Sequence, residues 1–207
     1  MNTPKWIIAH FSPTGGTKKV ADAIAAGFER PIVEMDLTRA DFSVTLGEND
    51  ALLETREALE ANGFRVIAAA AFIAEHSMYR CIAAGRPDAQ DEALCRRFAA
   101  DVMAKADDAA PIQVPGNTPY KELKPSAFHP AANDTCTKCG TCAEDRPTGA
   151  IPLADPSPTD NERCINCMRC VASCPMNSRA LPDAFRAMIT KMLDENAAGY
   201  KEPVVFL

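Results

Sequence analysis

The chain opens with a largely apolar stretch, residues 6–11, that breaks off at Ser12-Pro13-Thr14-Gly15-Gly16. So short and continuous a run reads as a strand buried on both faces. Val20, Ile24 and Phe28 then recur at helical spacing between about residues 17 and 28. Residues 32–37 repeat the strand pattern, Asn49-Asp50 offer caps to a helix ending at Asn62-Gly63, and residues 64–73 form a third apolar run. Pro87-Asp88 open a further helix to about Lys105, with Leu94, Cys95, Phe98 and Val102 along one stripe. Cys95 is expected there as a packed core thiol. Strands alternating with helices predict an α/β domain with a mostly parallel sheet. Five prolines between residues 111 and 130, with no hydrophobic period, predict a stiff linker. The expected organisation is an N-terminal domain over residues 1–110, a Pro-rich linker over 111–131 and a smaller second domain over 132–207. Within the latter, Pro182-Asp183 start a helix whose Phe185, Met188, Ile189, Met192 and Leu193 follow the helical period and are expected to pack against that domain.

Composition narrows the function classes. At 47% hydrophobic and 24% charged residues the chain is ordinary for a globular protein. A net charge of −6 with no basic block argues against a nucleic-acid surface and fits docking on basic redox partner proteins. The longest apolar run, residues 67–74, is too short to span a bilayer, and the N-terminal apolar stretch is too short for a signal peptide, so the expected location is the cytoplasm.

Seven of the nine cysteines change the picture, because they fall between residues 136 and 174 in two matched runs. The first is Cys136-x-x-Cys139-x-x-Cys142, and the second is Cys164-x-x-Cys167-x-x-Cys170-x-x-x-Cys174-Pro175. Two-residue spacings let a tight loop aim successive thiolates at one compact cluster, and thiolate sulfur is the ligand that iron–sulfur chemistry selects. A zinc site fits less well, since each run is a triplet with no histidine inside it. A disulfide framework fits poorly with an odd count and no sign of export. The favoured reading is a pair of iron–sulfur sites, with zinc, disulfides and unliganded thiols as the alternatives. His10 and His76, near strand ends, are expected to be hydrogen-bonded structural residues.

Residues 136–175 resemble the bacterial dicluster 4Fe-4S ferredoxin domain, with Arg146-Pro147-Thr148-Gly149-Ala150-Ile151 standing where that family has Cys-Pro-x-x-Ala-Ile. The resemblance implies a crossing rule in which Cys174 joins Cys136, Cys139 and Cys142 on one 4Fe-4S cluster. Arginine has no lone pair for a metal, so the second site keeps only Cys164, Cys167 and Cys170. Its options are a 3Fe-4S cluster, a 4Fe-4S cluster completed by water or Asp145, or no cluster. The loop Ser12-Pro13-Thr14-Gly15-Gly16-Thr17 joins a strand to a helix and lacks both the Gly-Lys-Ser/Thr of a nucleotide-hydrolysing loop and the GxGxxG of a dinucleotide fold. It is similar to the flavodoxin phosphate loop, which implies that Ser12, Thr14, Gly15, Gly16 and Thr17 bind the phosphate of FMN. A flavodoxin sheet has five strands in the order 2-1-3-4-5. Only three good strands are legible here, with residues 42–46 as a short fourth candidate, so the expected fold is a truncated flavodoxin-like parallel sheet joined to a smaller, ferredoxin-like α+β domain. The tail Glu202-Pro203-Val204-Val205-Phe206-Leu207 also resembles that of proteins pairing these two domains.

The expected function is electron transfer through iron–sulfur clusters, with FMN as an additional redox centre. The rival readings are an FMN-dependent oxidoreductase acting on a small molecule and a degenerate iron–sulfur-binding protein.

Overall fold

The structure, a computed structural model, describes residues 6–10, 12–29, 32–36, 50–105, 110–120, 126–144, 147–197 and 199–207. The candidate strand at 42–46, the cap Asn49, and both Asp145 and Arg146 lie outside the described residues.

Strand β1 (Trp6–His10) pairs in parallel with β2 (Ile32–Asp36), Trp6 opposite Ile32 and His10 opposite Asp36. A parallel pair needs a crossover, and helix α1 (Gly16–Ala25) supplies it. His10 is buried and its Nε2 lies 2.8 Å from Glu34 Oε1, so it serves the β1–β2 pair. His76 Nδ1 accepts a hydrogen bond from the Tyr79 amide at 3.2 Å and orders a turn.

Helix α2 (Ala51–Ala61) follows Asp50, whose carboxylate is fully buried. Asp50 Oδ1 accepts hydrogen bonds from the Asn117 amide at 2.8 Å and the Asn117 side chain at 2.9 Å, pinning the Pro-rich segment to the start of α2. Ile112 is buried and its amide reaches the Val66 carbonyl at 3.4 Å. The first half of the segment is therefore docked along the N-terminal unit. No hydrophobic period announced this, because the contacts are single residues and backbone groups.

Strand β3 (Ala69–Ala71) is much shorter than the apolar run that contains it, and it pairs antiparallel with the C-terminal β6 (Val204–Phe206), Ala70 opposite Val205. Among the described residues β1 pairs only with β2, so a mostly parallel sheet rests on that pair alone. An alanine run carries little side-chain surface to fix its partner, which leaves the choice to long-range packing.

Helix α3 (Ala89–Lys105) starts where Asp88 Oδ1 accepts the Gln90 and Asp91 amides, at 2.8 and 3.1 Å. It buries Cys95, Ala99 and Val102, and burial pushes the Cys95 thiol up to about 11, which suits an inert core residue. Cys81 is exposed and distant in sequence from both cysteine runs. The turn that follows α1 meets α3 closely at Gly27, where an added Cβ would stand 2.6 Å from the Arg96 carbonyl oxygen and 2.7 Å from Ala99 Cβ. Backbone on one side leaves little room to yield. Gly27→Ala is therefore expected to cost about 1–3 kcal/mol, read as a lower denaturant midpoint with an unchanged m value. A neutral result would show that the turn and α3 part without cost.

The second half of the chain contains β4 (Ala131–Ala132), α4 (Thr141–Glu144), α5 (Arg169–Ala172), β5 (Arg179–Ala180) and α6 (Asp183–Asn196). β4 and β5 pair antiparallel and bring the segment before the first cysteine run beside the segment after the second. Phe185 of α6 is buried with Met168 and Leu181, and Val171, Ile189 and Met78 pack around them. The Phe185 ring also stacks on Phe128, with centroids 4.8 Å apart. Only part of the expected stripe is covered: Met188 and Met192 are exposed. Among the described residues no helix is long and apolar enough to cross a membrane.

Candidate metal centre

The two cysteine runs share one backbone design. Lys138 and Gly140 flank Cys139 with φ of 56° and 83°, and Asn166 and Met168 flank Cys167 with φ of 53° and 59°. Each loop then turns into a short helix, through amides of Ala143 and Glu144 on the Gly140 carbonyl and of Val171 and Ala172 on the Met168 carbonyl. A left-handed conformation costs a non-glycine residue about 1–2 kcal/mol, and Lys138, Asn166 and Met168 all bear it. Right- and left-handed residues in alternation gather successive N–H groups into a concavity that suits an anion, the arrangement that many iron–sulfur sites use. Strain of one kind thus recurs at equivalent places in both loops.

Cys136, Cys139, Cys142 and Cys174 line one hollow, together with Thr137, Gly140 and Arg179. Cys174 comes from the second run, and two contacts hold it there: its Sγ accepts the Ser178 amide at 3.3 Å, and its carbonyl accepts the Asn177 amide at 3.1 Å. The β4–β5 pair and the Asn133 amide on the Ser178 carbonyl, at 2.8 Å, bind this turn to the chain just before Cys136. Thr135 Oγ1 adds a 2.8 Å contact to Ser178 Oγ. Among the described residues no three His, Cys, Asp or Glu side chains converge tightly enough to hold one metal ion. The thiols instead stand around a space.

Cys164, Cys167 and Cys170 form the second group, next to the first. Cys142 and Cys170 share an apolar contact with Ala143 and Ile151. Burial pushes the Cys170 thiol up to about 11, with the Arg179 guanidinium working against it, and burial raises Cys167 as well. Such thiols give up their protons only to a strong cation, which is what bound iron supplies. Cys139 behaves oppositely: it is exposed, and the Thr141 hydroxyl, 3.4 Å from its Sγ, holds its thiol below the ordinary range.

Residues 158–179 match the family model of the 4Fe-4S binding domain. This part of the chain is a ferredoxin-type iron–sulfur segment, and it contains Cys164, Cys167, Cys170 and Cys174. No curated protein and no solved structure matches the chain. The donor set around the hollow fits an iron–sulfur cluster, being all thiol, ringed by left-handed residues and shielded by Pro156 and Pro175.

At the other end, Ser12, Thr14 and Gly15 lie in the turn between β1 and α1, and Gly16 and Thr17 open α1. Ser12 is buried and its Oγ accepts the Lys18 amide at 2.8 Å. Gly15, at φ 89°, makes the reversal that a side chain would oppose. Thr14 and Thr17 are exposed. The loop also touches the iron–sulfur segment, because Arg169, between Cys167 and Cys170, donates through Nη1 to the Pro13 carbonyl at 2.9 Å. Thr17, Val20 and Ile24 of α1 then line an apolar cleft with residues 68–72 and Phe98.

Sequence reasoning missed three residues of this region. Arg179 is buried in the wall of the hollow, Ser178 holds Cys174, and Thr141 acts on Cys139. The one signal was Arg179 itself, a charge set directly before Ala180-Leu181 and close behind the second cysteine run.

Proposed function

We propose that the protein transfers electrons between redox partner proteins through two adjacent iron–sulfur sites. The observation that carries the proposal is the hollow that collects Cys136, Cys139, Cys142 and Cys174 from both runs. These four thiolates hold a 4Fe-4S cluster, and Cys164, Cys167 and Cys170 hold the second, three-thiolate site, as 3Fe-4S or as a cubane completed from outside the thiolate set. A bound cluster supplies one-electron redox chemistry. The chain supplies ligation, burial and the backbone N–H groups of the two strained loops. Cys139 is exposed, which gives a partner protein a short approach to the first site.

FMN in the loop of Ser12, Thr14, Gly15, Gly16 and Thr17 is the second part of the proposal. Its support is the Arg169 contact to Pro13, which joins the loop to the segment between Cys167 and Cys170. The domain reading, a shortened flavodoxin-like unit before a ferredoxin-like one, belongs to the same proposal and draws on the β1–α1–β2 unit.

Anaerobic reconstitution of the full chain, followed by iron, sulfide and flavin analysis, tests both parts. The expected product is brown and oxygen-sensitive, with iron and sulfide in excess of one cluster and with bound FMN. Zinc without sulfide would refute the electron-transfer reading. Iron and sulfide without flavin would remove FMN and leave the rest standing.

A further inference from the structure

Arg179 is 2% exposed, and an arginine keeps its charge wherever it is buried. Its two Nη groups are spent on oxygen: Nη1 donates to Thr159 Oγ1 at 2.8 Å and the Pro130 carbonyl at 3.4 Å, and Nη2 donates to the carbonyls of Pro156, Ser157 at 3.1 Å and Pro158 at 3.3 Å. Every one of these acceptors is uncharged. Among the described residues no carboxylate pairs with the guanidinium, and Nε–H is buried without a hydrogen-bond partner. A buried charge without a counter-charge, carrying a buried donor without an acceptor, is too costly to stand for nothing. The side chain lines the hollow of Cys136, Cys139, Cys142 and Cys174.

We propose that Arg179 is the internal counter-charge of the iron–sulfur sites, with its Nε–H donating a hydrogen bond to sulfur of the cluster held by Cys136, Cys139, Cys142 and Cys174. The inference rests on the cluster reading above. Four thiolates give a 4Fe-4S cluster a net negative charge that grows by one on reduction, so a fixed cation beside it favours the reduced form and raises its potential. The carbonyl fork of residues 156–158 holds the guanidinium in place, which ties the connector between the two runs to the redox property of the site. Cys170 packs with Cys142, a ligand of the same hollow, so the second site stands next to that charge too.

The test uses the full chain, reconstituted anaerobically with iron and sulfide and grown with nitrogen-15-labelled arginine. Pulsed electron paramagnetic resonance of the reduced protein should show an arginine nitrogen coupled to the cluster, and the coupling should vanish in Arg179→Lys. Redox titration should place the midpoint of Arg179→Gln below that of the unmodified protein, with Arg179→Lys retaining most of the original value. A merely structural role for the carbonyl fork would lower thermal stability and move neither readout. If Arg179→Gln does not fold, the coupling in the unmodified protein decides alone. No arginine coupling, a coupling that survives Arg179→Lys, or an unchanged midpoint in a loaded Arg179→Gln overturns the proposal. Absence of iron and sulfide from the unmodified protein would instead defeat the cluster reading itself, and is seen before any variant is made.

Discussion

Cys174→Ala is expected to abolish the four-thiolate 4Fe-4S signal of the first site and spare the second, although Cys174 lies in the second run. In sequence Cys174 is four residues from Cys170 and thirty-two from Cys142. In space it faces Cys136, Cys139 and Cys142, held by the Ser178 amide on its Sγ and by the β4–β5 pair behind it. Loss of one thiolate leaves the first site with three, as many as the second site has, so its 4Fe-4S signal should be replaced after air oxidation by a 3Fe-4S one or be lost. The electron paramagnetic resonance signal of the Cys164, Cys167 and Cys170 site should persist. Cys170→Ala should give the reverse pattern. Loss of the second signal in Cys174→Ala, with the first intact, would mean that the runs bind their clusters without crossing.

Asp91→Ala should destabilise the chain by about 3–5 kcal/mol, the usual consequence of leaving a buried cation without its partner. Asp91 is fully buried, Arg86 is nearly so, and the guanidinium meets the carboxylate through two donors, Nε at 2.8 Å from Oδ2 and Nη2 on Oδ1. Arg86 also donates to the Lys201 carbonyl at 2.6 Å, and its guanidinium sits 4.3 Å above the Tyr200 ring. The pair thus ties the start of α3 to the tail that forms β6, and its loss should loosen the β3–β6 pairing as well. The hydrogen bond from Arg86 holds the Asp91 carboxyl below its ordinary pKa. A group whose folded pKa is depressed contributes stability above its unfolded pKa, near 3.9, and loses that contribution as pH falls through the folded value. The gap in melting temperature between the protein and Asp91→Ala should therefore be full at neutral pH and narrow below about pH 4. A gap that stays constant down to pH 2, about two units below the unfolded value, would show that the carboxylate charge is not what stabilises the fold.

Local chemistry was readable from residues alone. The second cysteine run reads as part of an iron–sulfur segment, and residues 158–179 match the 4Fe-4S binding domain, because the thiols and the turns that aim them lie within a few bonds of each other. The same holds for helices whose caps sit beside them, such as Asp88 before α3. Cys95 was legible as a core thiol from its place on the α3 stripe, and it is completely buried.

What tertiary structure decided was pairing between distant segments. That β3 takes the C-terminal tail as its partner is invisible in an alanine run, whose side chains offer nothing specific to match. That the Pro-rich segment lies along α2 depends on one buried carboxylate, Asp50, meeting one asparagine sixty-seven residues later. Arg179 is the sharpest instance. Its sequence neighbours give it no charge partner, and only the folding of the carbonyls of Pro130, Pro156 and Pro158 around it sets a buried cation beside four thiols. The sequence by itself determined which groups can bind iron, since ligand type and loop spacing are local properties. Only the fold determined which charge stands next to the thiols, because electrostatics depends on distance through space and not on distance along the chain.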